Sequence, residues 1–172
     1  MQASTLDKGV YAFTGPSRLS RDQSIFVIED LLTLPEPRIV RTGAAPGLDT
    51  EVAKHAIDYW PHALHELYVP DADHNEDIVK FFLGLPKKTK TRIVWMRPGA
   101  SPASAYRQRN EAMINGSDGW VHTGPRATML HAYLRSLKFY RSGEWMTVNI
   151  AKGLRVPTRP TLLPVGGRMV AA

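Results

Sequence analysis

The sequence predicts one α/β domain of Rossmann-like type, a mostly parallel sheet with helices on both faces. Two observations carry this. Short β-favouring apolar runs alternate with stretches of helical periodicity, and successive strands end in glycine-bearing turns that open helices. The chain has 172 residues and 43% hydrophobic content, enough for a single substantial core.

Val10-Tyr11-Ala12-Phe13 is the first β-favouring run, closed by the turn Thr14-Gly15-Pro16-Ser17-Arg18. Ser20-Arg21-Asp22-Gln23 has the form of a capping box. Ile25, Ile28, Leu31 and Leu32 follow at helical spacing until Pro35 and Pro37 stop the helix. A second strand, 38 to 42, runs into Gly43-Ala44-Ala45-Pro46-Gly47-Leu48-Asp49, after which Val52, Ala53, Ala56, Ile57 and Trp60 mark a helix. A strand, a glycine-rich turn and a helix N-terminus present free N–H groups and a positive dipole end to an anion. The same residues also suit an ordinary tight connection capped by Asp49.

Glu66 to Val69 reads as a third strand, Ile78 to Leu83 as a short helix, and Ile93 to Met96 as a further strand after the basic connector 86 to 92. Ser101-Pro102 opens a helix that ends near Gly116, with Tyr106, Arg109, Asn110 and Met113 on one face between Ala105 and Ala112. An arginine on a face that should pack inward needs an answer for its charge. Either a carboxylate such as Asp49 or Asp118 pairs with it, or it faces a cleft and an anionic ligand. Gly119 to Thr123 reads as a strand, the segment 124 to 128 as its loop, Leu130 to Leu137 as a helix, and Trp145 to Ile150 as a last strand. The prolines and glycines after Lys152 suggest a tail without regular elements, so the expected division is a domain over 1–151 and a tail over 152–172.

Cysteine is absent, which excludes disulfides and thiolate chemistry. The histidines lack carboxylate–histidine spacing, so neither a metal nor a cofactor is expected. No apolar run is long enough to span a bilayer and no basic-then-apolar leader opens the chain, giving an expectation of a cytoplasmic location without membrane association. A net charge of +6 and a pI near 9.7 favour anionic partners weakly.

Over roughly residues 9 to 150 the chain resembles the SLOG superfamily, the Rossmann-like group of DNA-processing A proteins and Lonely Guy phosphoribohydrolases. Three motifs carry the likeness. Gly15-Pro16-Ser17-Arg18 is similar to the first glycine-serine-arginine turn, with a proline inserted. Gly43 to Asp49 is similar to the Gly-x-Ala-x-Gly-x-Asp loop. Arg109-Asn110, Met113 and Ser117-Asp118 are similar to the third signature.

The resemblance implies a nucleotide-derived phosphate ligand, bound or sensed, with Gly15, Ser17, Arg18, Gly43, Ala44 and Gly47 in the binding loops. Asp49, Arg109, Asn110 and Asp118 are the polar partners, and Gly124 and Thr128 form a second phosphate loop. The alternative it implies is a phosphoribohydrolase cleaving an N-glycosidic bond. In that family a carboxylate follows the second loop, whereas here Leu130 or His131 stands at the corresponding place, so binding is preferred and catalytic residues are left unassigned. Single-stranded DNA is the third ligand class, with Lys87, Lys88, Lys90, Arg92, Arg97 and Arg107 as its basic surface, and a homodimer is compatible with all three.

Overall fold

The computed structural model describes residues 8–98, 101–118, 121, 124–138 and 142–165. Six parallel strands form one sheet in the order β4-β3-β2-β1-β5-β6. The strands are β1 (Val10–Thr14), β2 (Ile39–Gly43), β3 (Leu64–Asp71), β4 (Thr91–Pro98), β5 (Met129–Leu134) and β6 (Thr158–Leu162). The helices are α1 (Arg21–Thr33), α2 (Leu48–Tyr59), α3 (Glu76–Leu83), α4 (Pro102–Asn115) and α5 (Gly143–Gly153).

Helices cover both faces. Val27 and Leu31 of α1 pack with Val52 and Ala56 of α2 on Phe13, Val40 and Tyr133, and α3 extends this layer through Ile78 and Phe82. On the other face Ala112 and Met113 of α4 and Ala151 of α5 cover Val10, Ala12, Tyr68, Leu130 and Ala132. The expected capping box at Ser20 is formed in both directions. Helix α4 ends at Gly116, which takes the left-handed conformation at φ 70°.

The second half departs from the sequence reading in four places. Leu130 to Leu134 belong to β5, not a helix. A central parallel strand is covered on both faces, so its apolar run loses the alternation of two and mimics helical spacing. Trp145 to Ile150 lie within α5 rather than a strand, and the signal for it is Ser142, whose hydroxyl accepts from Trp145 N. The supposed tail contributes β6, which pairs with β5 from Leu130↔Thr158 to Leu134↔Leu162. Pro160 is tolerated because β6 is an edge strand and needs no donor on its open side. Residues 119, 120, 122 and 123 of the expected strand lie outside the described residues, and Val121 is not in a strand.

Candidate functional site

The chain runs outward from β1 through β2 and β3 to β4, then returns to place β5 on the other side of β1. A crevice forms where the order reverses, at the carboxyl ends of the strands. There the structure has a cleft of about 820 Å³, within the range usual for small-molecule sites. Thr14, Gly15 and Ser17 form one wall, and Ala45, Pro46 and Asp49 the next. Asp73, His74 and Asn75, then Tyr106, Arg109 and Asn110, then Gly143 and Glu144 complete it. The first turns of α2, α4 and α5 supply Asp49, Ala103 and Glu144, so three positive helix ends meet at one opening.

At its centre Arg109 Nη1 donates to Asp49 Oδ2 at 3.0 Å, with side-chain exposures of 9% and 8%. The pair lies over Gly43, where a Cβ would collide with the guanidinium and the carboxylate. Gly43 is therefore required for space, while Gly47 is required for conformation as well. It sits at φ 74° as the residue before α2, and a Cβ there would meet the Pro16 carbonyl oxygen at 2.5 Å. Leu48 N donates to that carbonyl at 3.1 Å, which ties the first turn to the glycine loop.

Burial raises the Asp49 carboxyl above its ordinary value, opposed by the charge and hydrogen bond of Arg109. Arg109 Nε is buried with no hydrogen-bond partner among the described residues. Asn110 is 3% exposed and borders the same cleft. The carboxylates of Asp49, Asp73 and Glu144 outnumber the arginine, so an anionic group here must rely on helix ends and Arg109 rather than on a basic wall.

The structure brings together Gly15, Ser17, Gly43, Asp49, Arg109 and Asn110. Ala44 is buried behind them, its carbonyl accepting from Asn75 N at 2.7 Å, and Gly47 joins the two loops. Arg18 is exposed and outside the cleft lining, and its carbonyl accepts from Arg135. Asp118 follows the C-terminus of α4 and holds Val121 N at 3.0 Å. Gly124 and Thr128 precede β5 instead of following a strand, so they belong to the amino ends of the sheet. The Thr128 hydroxyl is bonded to Val10 N and O there. None of these three lines the cleft.

Leu130 and His131 are buried within β5 and cannot stand for a loop carboxylate. His131 stacks on Phe13 with ring centroids 4.9 Å apart, and burial takes its imidazole down to about 4. Besides Asp49 and Asp73, the cleft has the carboxylate of Glu144, 5% exposed in the first turn of α5. Sequence reasoning missed it because Trp145 to Ile150, directly after it, read as a strand, although Ser142 followed by Gly143 and Glu144 is a helix-start signal.

The six-stranded parallel sheet with its cleft at the switch point is a Rossmann-like α/β fold. Among solved structures it is similar to DNA processing protein A from Streptococcus pneumoniae, with a TM-score of 0.63 and 14% identity over 95% of this chain and 52% of that one. It is also similar to DNA processing protein A from Helicobacter pylori, with a TM-score of 0.59 and 13% identity over 94% of this chain and 69% of that one. The chain thus spans about half the length of the S. pneumoniae protein. No protein-family model and no curated protein matches the sequence. Among the described residues no helix is long and apolar enough to cross a membrane.

Proposed function

We propose that the cleft binds a nucleotide or nucleotide-derived phosphate ligand. The observation that carries this is the meeting of three helix N-termini around Arg109, whose Nε has no partner among the described residues. Phosphate accepts from the helix ends and from Arg109, while Asn110 and the carboxylates of Asp49 and Glu144 offer hydrogen bonds to ribose hydroxyls or a base. Titration calorimetry with adenosine monophosphate and ribose 5-phosphate tests the reading. Saturable binding of the nucleotide supports it, and absence of heat with every nucleoside monophosphate tried overturns it.

Glu144 favours a second reading, hydrolysis of the N-glycosidic bond, because a carboxylate in the cleft supplies what an oxocarbenium-like centre requires. Free base released over multiple turnovers, and abolished in Glu144→Gln, would establish it. A third reading is single-stranded DNA, which the H. pylori protein binds in its own way. It ranks behind the others because Lys87, Lys88 and Lys90 lie in the connection before β4, at the amino ends of the strands and away from the cleft. A steep loss of oligonucleotide affinity with salt would favour it.

A further inference from the structure

Trp95 is 57% exposed, although its register partner on β3, Val69, is fully buried. Helix α3 packs its Ile78, Val79 and Phe82 on Leu67 and Val69 of β3 and leaves the indole exposed towards the carboxyl end of the edge strand β4. The ring is not isolated. It meets His74 in a perpendicular contact with centroids 6.2 Å apart, and His74 lines the cleft.

The loop carrying His74 is held from several directions. His74 Nδ1 donates to Ala72 O at 2.9 Å, the Tyr106 hydroxyl donates to Asp73 O at 2.7 Å, and Asn75 N donates to Ala44 O at 2.7 Å. Asn75 Nδ2 also donates to the Thr50 hydroxyl at 3.0 Å. An aromatic surface fixed at the rim of a cleft binds a flat ring with little ordering cost.

We infer that Trp95, with His74 beside it, is a stacking platform for the nucleobase of the ligand whose phosphate and ribose occupy the cleft. This rests on the nucleotide reading above and adds where the base goes. The sugar-phosphate end lies by Gly43, Arg109 and Asn110, and the base extends past His74 onto the open indole face. An indole accepts any base, so this subsite contributes affinity for a base as such, and hydrogen bonds elsewhere set which base is preferred.

Titration calorimetry on the full chain separates this from the reading beneath it. Adenosine monophosphate and ribose 5-phosphate share the sugar and phosphate and differ in the base. Trp95→Ala should weaken adenosine monophosphate by about 5- to 100-fold and leave ribose 5-phosphate within about twofold, while Trp95→Phe keeps most of the nucleotide affinity. Equal nucleotide affinity in wild type and Trp95→Ala overturns the platform while the cleft reading stands. Equal losses for both ligands overturn it too, since the base would then not be what the indole holds. If neither ligand binds the wild-type chain, the cleft reading falls and the platform with it.

Discussion

Two buried arginines lie on the α4 side of the sheet, and they are held in opposite ways. Arg41 on β2 is fully buried. Its Nε donates to Glu66 Oε2 at 2.7 Å and its Nη1 to Met113 O at 3.2 Å. Glu66 also accepts from Arg92 and, at 3.2 Å, from the Tyr68 hydroxyl, whose pKa burial pushes up to about 12. Arg109 on α4 is 8% exposed and has one described partner, Asp49. The first arginine is enclosed in a network that fastens β2, β3 and β4 under α4. Each keeps one nitrogen without a partner among the described residues, Arg41 Nη2 and Arg109 Nε, but only Arg109 borders the open cleft. Similar burial therefore supports different roles, and access to the cleft together with the number of partners separates a fastening from a binding group.

The largest effect should come from the enclosed network. Glu66→Ala leaves Arg41 without its carboxylate at 0% exposure, and breaking a buried pair from one side costs about 3 to 5 kcal/mol. Urea titration measures this, and ligand affinity of the folded variant should remain near wild type. A cost below about 1 kcal/mol would erase the contrast between the two arginines.

Arg109→Ala should reverse the pattern. The carboxyl left behind already has its pKa raised by burial and borders the cleft, so it can take up a proton, and the expected stability cost is about 1 to 2 kcal/mol at pH 7. Nucleotide affinity should fall roughly 10- to 150-fold with the loss of a charge-assisted bond. The pH dependence has a definite sign. A carboxyl whose folded pKa lies above its ordinary 3.8 contributes stability that is full below that value and is lost as pH rises through the folded pKa. Without Arg109 the Asp49 pKa rises further, so the variant's deficit should widen as the pH rises above the ordinary carboxyl value. A deficit of the size found for Glu66→Ala, with affinity intact, would make Arg109 a fastening like Arg41.

Gly43→Ala sharpens the same contrast more gently. The backbone there is ordinary, so what opposes a methyl group is the space filled by the Arg109 guanidinium and the Asp49 carboxylate. The substitution should displace Arg109 and weaken the nucleotide, with a stability cost of about 1 kcal/mol. In an Arg109→Ala background the guanidinium's share of that cost should vanish, because Asp49 is then free to shift, a coupling that a double-mutant cycle in urea reads directly.

The parts of the fold and of the site that are legible in the sequence are those with local causes. The capping box at Ser20, the glycine turn before α2 and the Arg109–Asn110 face of α4 depend on residues within a few positions of each other. What a local reading could not resolve was which carboxylate answers Arg109, because Asp49 and Arg109 are 60 positions apart and Asp118 was equally eligible. The misplacement of Gly124 and Thr128 followed from one error of element type. Taking β5 for a helix turned the loop before it into a loop after a strand, and moved it to the wrong end of the sheet. Taking α5 for a strand hid Glu144 in the same way. Strand β6 was hidden by Pro160, since proline argues against a strand unless the strand is known to lie at an edge.

The smallest effect is expected from a third arginine, which tests whether burial rather than geometry sets the scale. Arg159 on β6 grips Asp30 of α1 with two bonds of 2.7 and 2.8 Å, and the Tyr133 hydroxyl adds a third at 2.7 Å. The geometry is at least as good as that of Arg41, yet the Arg159 side chain is 36% exposed. Solvent screens such a pair, so Arg159→Ala should cost about 1 kcal/mol at pH 7. The hydrogen bonds from Arg159 are the chief cause holding the Asp30 carboxyl below its ordinary 3.8. A lowered carboxyl contributes stability that is present above the unfolded value and lost as pH falls through the folded pKa. The difference between wild type and variant should therefore shrink as the pH falls below about 4. Urea titrations at pH 7 and pH 3 measure both. If Arg159→Ala costs as much as Glu66→Ala, then bond geometry outweighs burial, and the distinction between Arg41 and Arg109 has to be drawn on other grounds.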